Sequence, residues 1–500
     1  MLRPSASRAS LIRPRCWLIG NRPDFPLTAG RVARLRGLDV VVCVADGNAI
    51  PSLFLPRNQL IAINFDLLAR LEPEAKACLR KSVESGATIY VRGALEPGRI
   101  YSLLPFSDQR FEFSNKPADG YQFSTHPILP SAIAGERIAT RLNMPQARGL
   151  DDRARPIVSS VDNCGPDSPS IFAIEVGAGR AIFDLHGESD HEDFELLAEL
   201  SAPSRRTAAA GALAAVDWAA GRNPAIPAPV NLVIDDRPVN YDYFNAGKLD
   251  AFLQHLEAQY PGIHTDFAWT PCHTRPHRGY LSVLRRYNTG FVWHGYLRHI
   301  DHRTITDFEA QLSAGRARVN EISREYGVRF QPVMIFPFEK DTPRAEELLR
   351  RTGFVAKVQS AGGLPPPAYY RLRGVVPEPS RDDPFSVVFR DSIDLLSRDR
   401  MLALATLGMP IVALAHPRDL ALRRFARLDR AALSYFDPVV RFAAKKSLRP
   451  MPLEEIAAET PPCLPASLDL VSYRDFATIR PPNRDLYPGS GPIGCKASSG

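Results

Sequence analysis

The sequence predicts an α/β protein in which a doubly wound domain precedes a (β/α) barrel. Three observations support that prediction. Short apolar runs alternate with segments of helical periodicity along most of the 500 residues, which is typical of parallel sheets covered by helices. A proline-rich stretch at 223–230 interrupts this alternation and predicts a stiff connector between two domains. Beyond the connector, several apolar runs end in acids or histidines, as barrel strands do when their carboxyl ends form a site.

The predicted first domain spans residues 1–225. Its strands are expected at 37–44, 60–65 and 88–91, with a terminal pair within 170–185. Helical periodicity at 71–86 leads into the strand at 88–91, and an alanine-rich helix is expected at 204–222. This order of strands and helices predicts a doubly wound sheet.

The predicted second domain spans residues 226–460, and a tail occupies 461–500. Its strands are expected at 231–234, 265–270, 289–294, 331–336 and 354–358, and its helices at 246–260, 307–326 and 343–352. A repeating βα pattern with functional groups after its strands predicts a closed or nearly closed barrel, with the site at the carboxyl ends of the strands.

The composition excludes several classes of protein. Hydrophobic residues make up 45% and charged residues 23%, which is typical of a soluble globular protein. The net charge is +7, but Lys and Arg are scattered among acids, so we do not expect nucleic-acid binding. The seven cysteines include no CxxC pair, which argues against a four-thiolate zinc site and a disulfide framework. With neither a secretion signal nor a membrane-spanning run, we expect a cytoplasmic location.

Acids and histidines follow the apolar runs of the second domain in three places. They are Asp235 and Asp236 after the strand at 231–234, His294 with His299 and His302 at the end of the strand at 289–294, and His416 after the apolar run at 411–415. Two acids at a sheet rim need a cation or a proton, and imidazoles are common metal ligands. The pattern therefore predicts a mononuclear metal site with a separate general base and general acid.

Four ordered motifs of this domain resemble those of the polysaccharide deacetylases of the NodB-homology type, carbohydrate esterase family 4 and its divergent relatives. The motifs are "VIDDRP" at 233–238, "WHGYLRHIDH" at 293–302, "MIFPFEKDTP" at 334–343 and "IVALAHP" at 411–417. The resemblance implies a (β/α) barrel that hydrolyses an N-acetyl or related acyl group on a carbohydrate.

The resemblance also implies a role for individual residues. Asp235 would be the general base and His416 the general acid. The implied metal ligands are Asp236, His294 and His299, with His302 as the alternative to His299, and the implied substrate contacts are Arg237, Trp293, Pro337 and Phe338. Zinc is the expected ion because two imidazoles and one carboxylate suit it, and cobalt, nickel and iron are alternatives.

Two departures from the family pattern leave other functions open. The ligand histidines His294 and His299 are five residues apart instead of the usual four, and the proline motif lacks the arginine that orients the base. Arg237, beside the acid pair, is the expected substitute. These departures favour a rival interpretation, a catalytically degenerate sugar-binding or scaffolding protein on the same barrel. An amidase acting on a non-sugar amide is a third interpretation.

The first domain resembles the class I glutamine-amidotransferase-like, flavodoxin-like domains. The resemblance rests on "SGATIYVRGAL" at 85–95, "THPIL" at 125–129 and the terminal strand pair. An active member needs a cysteine nucleophile at a sharp turn after the strand, where this chain has Arg92-Gly93-Ala94-Leu95. We therefore expect the first domain to be non-catalytic.

Overall fold

The architecture is that of a computed structural model, which describes residues 15–20, 29–30, 32–33, 38–44, 59–93, 95–125, 129–162, 165–186, 203–221, 226–235, 245–273, 278–339, 341–360, 385–416 and 434–459. The predicted tail at 461–500 and residues 223–225 of the connector lie outside these ranges. Within them, no helix has both the length and the apolar character needed to span a membrane.

The first domain is built on one mixed sheet. Its strands are β1 (Arg15–Gly20), β2 (Asp39–Val44), β3 (Leu60–Asn64), β4 (Thr88–Arg92), β5 (Ile100–Ser102), β6 (Arg110–Phe123), β7 (Arg137–Arg148), β8 (Arg155–Asp162), β9 (Gly165–Val176) and β10 (Gly179–Asp184). Strands β2, β1, β3, β4 and β10 are parallel neighbours in that order. Strands β9, β8, β6 and β5 extend the sheet antiparallel, and β7 pairs with β6.

Among the described residues, the helices with defined bounds beside this sheet are α1 (Phe65–Arg70), α2 (Pro73–Glu84) and α3 (Pro203–Ala219). The alanine-rich α3 is the helix predicted before the connector, and it packs against β3, β4 and β10. Its small side chains allow this close approach, and Ala212 and Ala215 are completely buried. The parallel half of the sheet agrees with a doubly wound domain, while the flavodoxin-like and amidotransferase-like assignments stay predictions.

The second domain is a closed parallel barrel, as predicted. Its strands are β11 (Pro229–Ile234), β12 (Thr265–Trp269), β13 (Thr289–His294), β14 (Phe330–Ile335), β15 (Ala356–Ser360), β16 (Ser386–Ser392) and β17 (Ile411–Ala415). Each pairs in parallel with the next from β12 to β17, β17 pairs with β11, and β11 returns to β12. The short strand β18 (Arg449–Pro450) adds to β11 at the amino end of the barrel.

Helices follow most of the barrel strands. They are α4 (Ala246–Gln259), α5 (Arg278–Leu284), α6 (Phe308–Tyr326), α7 (Pro343–Arg351), α8 (Arg398–Thr406), α9 (Asp437–Lys445) and α10 (Leu453–Glu459). Several begin at a polar residue whose side chain accepts a hydrogen bond from a backbone N–H of the first turn, as Asn245, Asp307 and Thr342 do. These caps fix where the helices start, and hence the lengths of the loops at the carboxyl ends of the strands.

The barrel interior is layered because alternate residues of each strand point inward. The inward series are Asn231-Val233-Asp235, Asp266-Ala268-Thr270, Gly290-Val292-His294, Gln331-Val333-Ile335 and Ser386-Val388-Arg390. Their middle members belong to one buried apolar cluster. That apolar layer separates a polar layer at the amino end of the barrel from a second polar layer at the carboxyl end.

The first sheet and the barrel share a hydrophobic core, and the division into domains at residues 225 and 226 stays a prediction. One buried cluster joins residues of the first sheet, helix α3 and the outer face of the barrel. At the surface, Lys446 donates to the carbonyl oxygen of Ala132 at 2.6 Å and forms an ion pair with Glu136. Helix α3 packs against the first sheet and belongs to the same buried cluster as the outer face of the barrel.

Candidate active site at the carboxyl ends of the barrel strands

Asp235 follows strand β11 at the carboxyl end of the barrel. Its side chain is buried, and its backbone N–H donates to the carbonyl oxygen of Ala415 at 3.0 Å. Because Ile234 lies opposite Ala415 in the parallel pairing, Asp235 and His416 leave two neighbouring strands at the same level. His416 is half-buried. The residues predicted as base and acid therefore share one position on the rim.

Arg390 lies between Asp235 and a second carboxylate. It is buried on the inner face of β16, with Nη1 2.6 Å from Oδ2 of Asp235 and Nη2 2.7 Å from Oε1 of Glu339. The contact with Asp235 is a close ion pair and not a well-aligned hydrogen bond. Burial lowers the pKa of Arg390, but Asp235 and Glu339 raise it by more. Arg390 is therefore a permanent cation at the rim.

The turn after β14 has unusual backbone geometry. Phe338 and Glu339 have φ angles of 56° and 58°, a left-handed conformation that is uncommon for residues with side chains. The turn directs the two side chains differently. Glu339 contacts Arg390, while Phe338 is 60% exposed, with its ring 4.8 Å from that of His299. Strain of this kind is often found at functional sites.

The turn after β13 brings two predicted metal ligands together. His294 is the last residue of the strand and is buried, and Gly295 follows with a φ of 83°. In addition to this backbone conformation, space requires glycine here, because a Cβ atom at Gly295 would lie too close to Pro337 and His302. The chain then bends back, so that the rings of His294 and His299 lie 4.8 Å apart between centroids. The five-residue spacing is accommodated because these residues form a glycine-initiated turn and not a helix.

His302 lies deeper than His299. It is completely buried, and its ring packs 4.7 Å from Tyr296 and 4.8 Å from Phe336. Burial, with the neighbouring His294, lowers the pKa of His302 to about 4, so the ring is neutral at pH 7. His299 is only half-buried and lies beside the exposed Phe338. Of the two alternatives, His299 is the one at the open rim.

Two of the three predicted metal ligands are described and lie side by side at the rim. Two neighbouring imidazoles, those of His294 and His299, share the rim with the buried carboxylate of Asp235. Asp236, the predicted third ligand, lies outside the described residues, as does Arg237. Within the described ranges, no group of three or more His, Cys, Asp and Glu side chains is arranged to hold a metal.

One predicted substrate contact needs correction. Trp293 does not face the barrel interior, because it alternates with His294 and packs on the outer face against Phe330 and Phe354, with ring centroids 6.1 Å and 5.3 Å away. It is buried, so it is removed from the predicted substrate contacts. Among the described residues, the arginine that contacts Asp235 is Arg390. Arg237, the expected substitute for the arginine that orients the base, lies outside the described residues, and its role stays a prediction.

Arg390 and Glu339 are functional candidates that the sequence analysis missed. The available signal was the inward series Ser386-Val388-Arg390, which has the same polar, apolar, polar order as Asn231-Val233-Asp235. The next residue, Asp391, faces outward, where Arg400 binds its carboxylate at 2.7 Å. The adjacent residues Arg390 and Asp391 of β16 therefore form ion pairs on opposite faces of the barrel wall.

The comparisons with known proteins gave similarities of structure alone. No protein-family model matches the chain, and no curated protein matches it in sequence. Among solved structures, the putative polysaccharide deacetylase from Mycobacterium smegmatis is 14% identical, with a TM-score of 0.33, over 46% of this chain and 89% of that one.

Two further solved structures show the range of these similarities. The family 4 carbohydrate esterase from Streptomyces lividans is 14% identical, with a TM-score of 0.28, over 45% of this chain and 92% of that one. A β-galactosidase from Rahnella sp. R3 is 10% identical, with a TM-score of 0.24, over 34% of this chain and 28% of that one. With TM-scores this low, the barrel assignment rests on the strand order of the chain itself.

Proposed function

We propose that this chain is a metal-dependent hydrolase that removes an N-acetyl or related acyl group from a carbohydrate. The observation that carries the proposal is the environment of Asp235. Its carboxylate is buried, Arg390 contacts Oδ2, and Oδ1 has no hydrogen-bond partner within the described residues. Leaving a buried acceptor unsatisfied costs about 1–3 kcal/mol. Such an oxygen is typical of a site where a reactant supplies the missing partner.

Asp235 and His416 provide the two proton transfers of amide hydrolysis. Asp235 accepts the proton of the attacking water, and His416 donates a proton to the nitrogen as the C–N bond breaks. Their equivalent level on neighbouring strands supports this pairing. Arg390 contacts Oδ2 of the base and keeps its carboxylate oriented.

The proposed metal ligands are Asp236, His294 and His299. Zinc suits two imidazoles and a carboxylate, and cobalt, nickel and iron are alternatives. When bound, the ion polarises the acyl carbonyl and lowers the pKa of the attacking water. His299 is preferred to His302 because its ring lies at the rim beside His294, whereas His302 is enclosed by aromatic rings.

Phe338 and Pro337 are the proposed substrate contacts that the structure describes. The exposed ring of Phe338 provides an apolar face next to His299, on which a sugar ring can stack. An exposed aromatic residue held in a strained turn at the rim favours a carbohydrate over a small amide, which would need less surface.

Acetate release from soluble N-acetylated oligosaccharides, compared with hydrolysis of small linear and cyclic amides, tests the proposal. We expect acetate from the sugars with the wild type plus zinc or cobalt, and its loss in Asp235→Asn and His416→Ala. Hydrolysis of the small amides alone would replace the proposal with an amidase. Binding of the sugars without hydrolysis under any metal would leave the degenerate binding protein.

A further inference from the structure

We propose that Glu339 is a positioning residue for the candidate base, because it fixes the guanidinium of Arg390, which in turn orients Asp235. The three side chains form one line of charge contacts across the rim, from the turn after β14 through β16 to the end of β11. The kinetic consequence of this arrangement rests on the proposed function, whereas the geometric one does not.

The guanidinium of Arg390 contacts Glu339 with one edge and Asp235 with the other. Nη2 and Nε of Arg390 both donate to Oε1 of Glu339, at 2.7 Å and 3.3 Å, while Nη1 lies 2.6 Å from Oδ2 of Asp235. A guanidinium is planar and rigid, so fixing one edge determines the direction of the other. Glu339 therefore sets the direction from which Arg390 approaches the base.

Glu339 is itself held in place. Its second carboxylate oxygen, Oε2, accepts a hydrogen bond from the backbone N–H of Ser360 at 2.6 Å. Its backbone and that of Phe338 are both left-handed, a conformation that persists only where surrounding contacts determine it. The bonds to Arg390 and Ser360 are such contacts, and they link the strained turn directly to the base.

Charge neutralisation alone does not require Glu339. Arg390 carries one positive charge, which Asp235 already balances, and Glu339 adds a second carboxylate to the same buried cation. Since a one-to-one pair is sufficient for charge, the second carboxylate contributes orientation. Its removal is therefore expected to displace the guanidinium and not to leave a buried charge without a counter-ion.

A purely structural role for Glu339 makes a different prediction. In that case its loss would lower stability and nothing more, as expected for Glu346, which forms ion pairs with Lys357 at 2.5 Å and Arg350 at 2.6 Å. Glu346 is buried on α7, which begins soon after the same turn, but its partners have no contact with Asp235 among the charge pairs of the described residues. Glu346→Gln is thus the matched control.

Crystal structures of the wild type, Glu339→Ala and Glu339→Gln test the geometric half. We expect Nη1 of Arg390 to leave Oδ2 of Asp235 in Glu339→Ala. The contact should survive in Glu339→Gln, whose amide oxygen still accepts from the guanidinium. An unchanged contact between Arg390 and Asp235 in Glu339→Ala would overturn the proposal whether or not the protein is a deacetylase.

Steady-state kinetics of acetate release test the catalytic half. We expect kcat to fall about 10²-fold in Glu339→Ala with little change in KM, since small displacements of reacting groups have effects of that size. Glu339→Gln should recover part of the loss, and Glu346→Gln should lower the Tm but keep kcat. Equal kcat in Glu339→Ala and the wild type would overturn the proposal. A wild type that releases no acetate would reject the proposed function and leave the crystal comparison to decide the role of Glu339.

Discussion

Each end of the barrel buries an aspartate, and the two aspartates have different surroundings. At the amino end, Asp266 accepts four hydrogen bonds, two on each carboxylate oxygen. The donors are Nε2 of His264 and Nε2 of Gln331 to Oδ1, and Nδ2 of Asn231 and the backbone N–H of Leu453 to Oδ2. At the carboxyl end, Asp235 has Arg390 on one oxygen and no hydrogen-bond partner on the other within the described residues.

The difference separates a structural carboxylate from a reactive one. Asp266 is saturated, and its bond to Leu453, with that from the N–H of Glu454 to Gln331, fastens helix α10 across the amino end. Any side chain at Gly290 would overlap Asp266 and Gln331, so glycine is required there. Both carboxylate oxygens of Asp266 are therefore occupied by donors of the protein itself.

The amino end of the barrel also contains a cavity. A cavity of about 670 Å³ opens at the amino end, lined by His264, Arg285, Gln331 and Glu454 among others. The buried polar groups beside it are those of the saturated Asp266 network. Burial with incomplete hydrogen bonding, as at Asp235, is the more informative signal.

Replacing aspartate by asparagine should lower activity at the carboxyl end of the barrel and stability at the amino end. We expect Asp235→Asn to lower kcat for acetate release about 10³-fold, since an amide cannot act as a general base. Asp266→Asn should keep kcat per folded molecule and lose stability. Activity assays on protein quantified by its folded fraction check this, and an active Asp235→Asn would break the distinction between the ends.

Truncation at the amino end should have a large effect on stability. Asp266→Ala leaves the buried donors of Asn231, Gln331 and Leu453 without their acceptor, and we expect a loss on the order of 3 kcal/mol or more. The control is Asp108→Ala, since the Asp108 side chain is 83% exposed. Calorimetric Tm values check the prediction, and equal Tm values for the two variants would contradict it.

The amino end should also respond to pH. Burial lowers the pKa of His264, but Asp266 and Asn288 raise it by more, so the net direction is upward. A histidine with a raised folded-state pKa contributes stability that is fully present below the unfolded value of about 6.5 and is lost as the pH rises through the folded-state pKa. The Tm of the wild type minus that of His264→Gln should therefore shrink as the pH rises above about 6.5. A difference in Tm that grows with pH would contradict a raised pKa of His264 in the folded protein.

The smallest effect is expected at the exposed turn of the carboxyl end. Phe338→Gly removes an aromatic surface and relieves a left-handed residue, so KM for the sugar should rise several-fold while the Tm is kept or slightly raised. The matched control is Ile226→Ala, a residue 53% exposed before β11 at the other end. An equal change of KM in both variants would remove Phe338 from the substrate contacts.

The sequence predicted the barrel well because its strands are short, apolar and separated by clear helical patterns. Strand β13 has the predicted bounds, Thr289–His294, and helix α6 begins within one residue of the predicted start. In the antiparallel half of the first sheet, β9 was predicted as part of the terminal pair, whereas β5 to β8 were not predicted. Strand β6 contains Pro117 and Gly120 and many exposed residues, so its pattern resembles that of loops and turns.

The sequence predicted which residues follow the barrel strands at the site, but not which of the side chains contact one another. Order along the chain indicated Asp235 and His416, because each follows an apolar run. The pairing of Arg390 with Asp235 depends on barrel closure, which brings together residues 155 positions apart in the sequence. The outward direction of Trp293 follows from its alternation with His294 along the strand.

Metal content tests the central claim most directly, because it compares one histidine at each end of the barrel. Wild type, His294→Ala and His264→Ala would be purified without chelator, incubated with zinc or cobalt, desalted and measured by elemental analysis. The account predicts about one equivalent in the wild type and in His264→Ala, and its loss in His294→Ala. A wild type without metal, or a His294→Ala variant that retains it, would contradict the assignment of the active site to the carboxyl end.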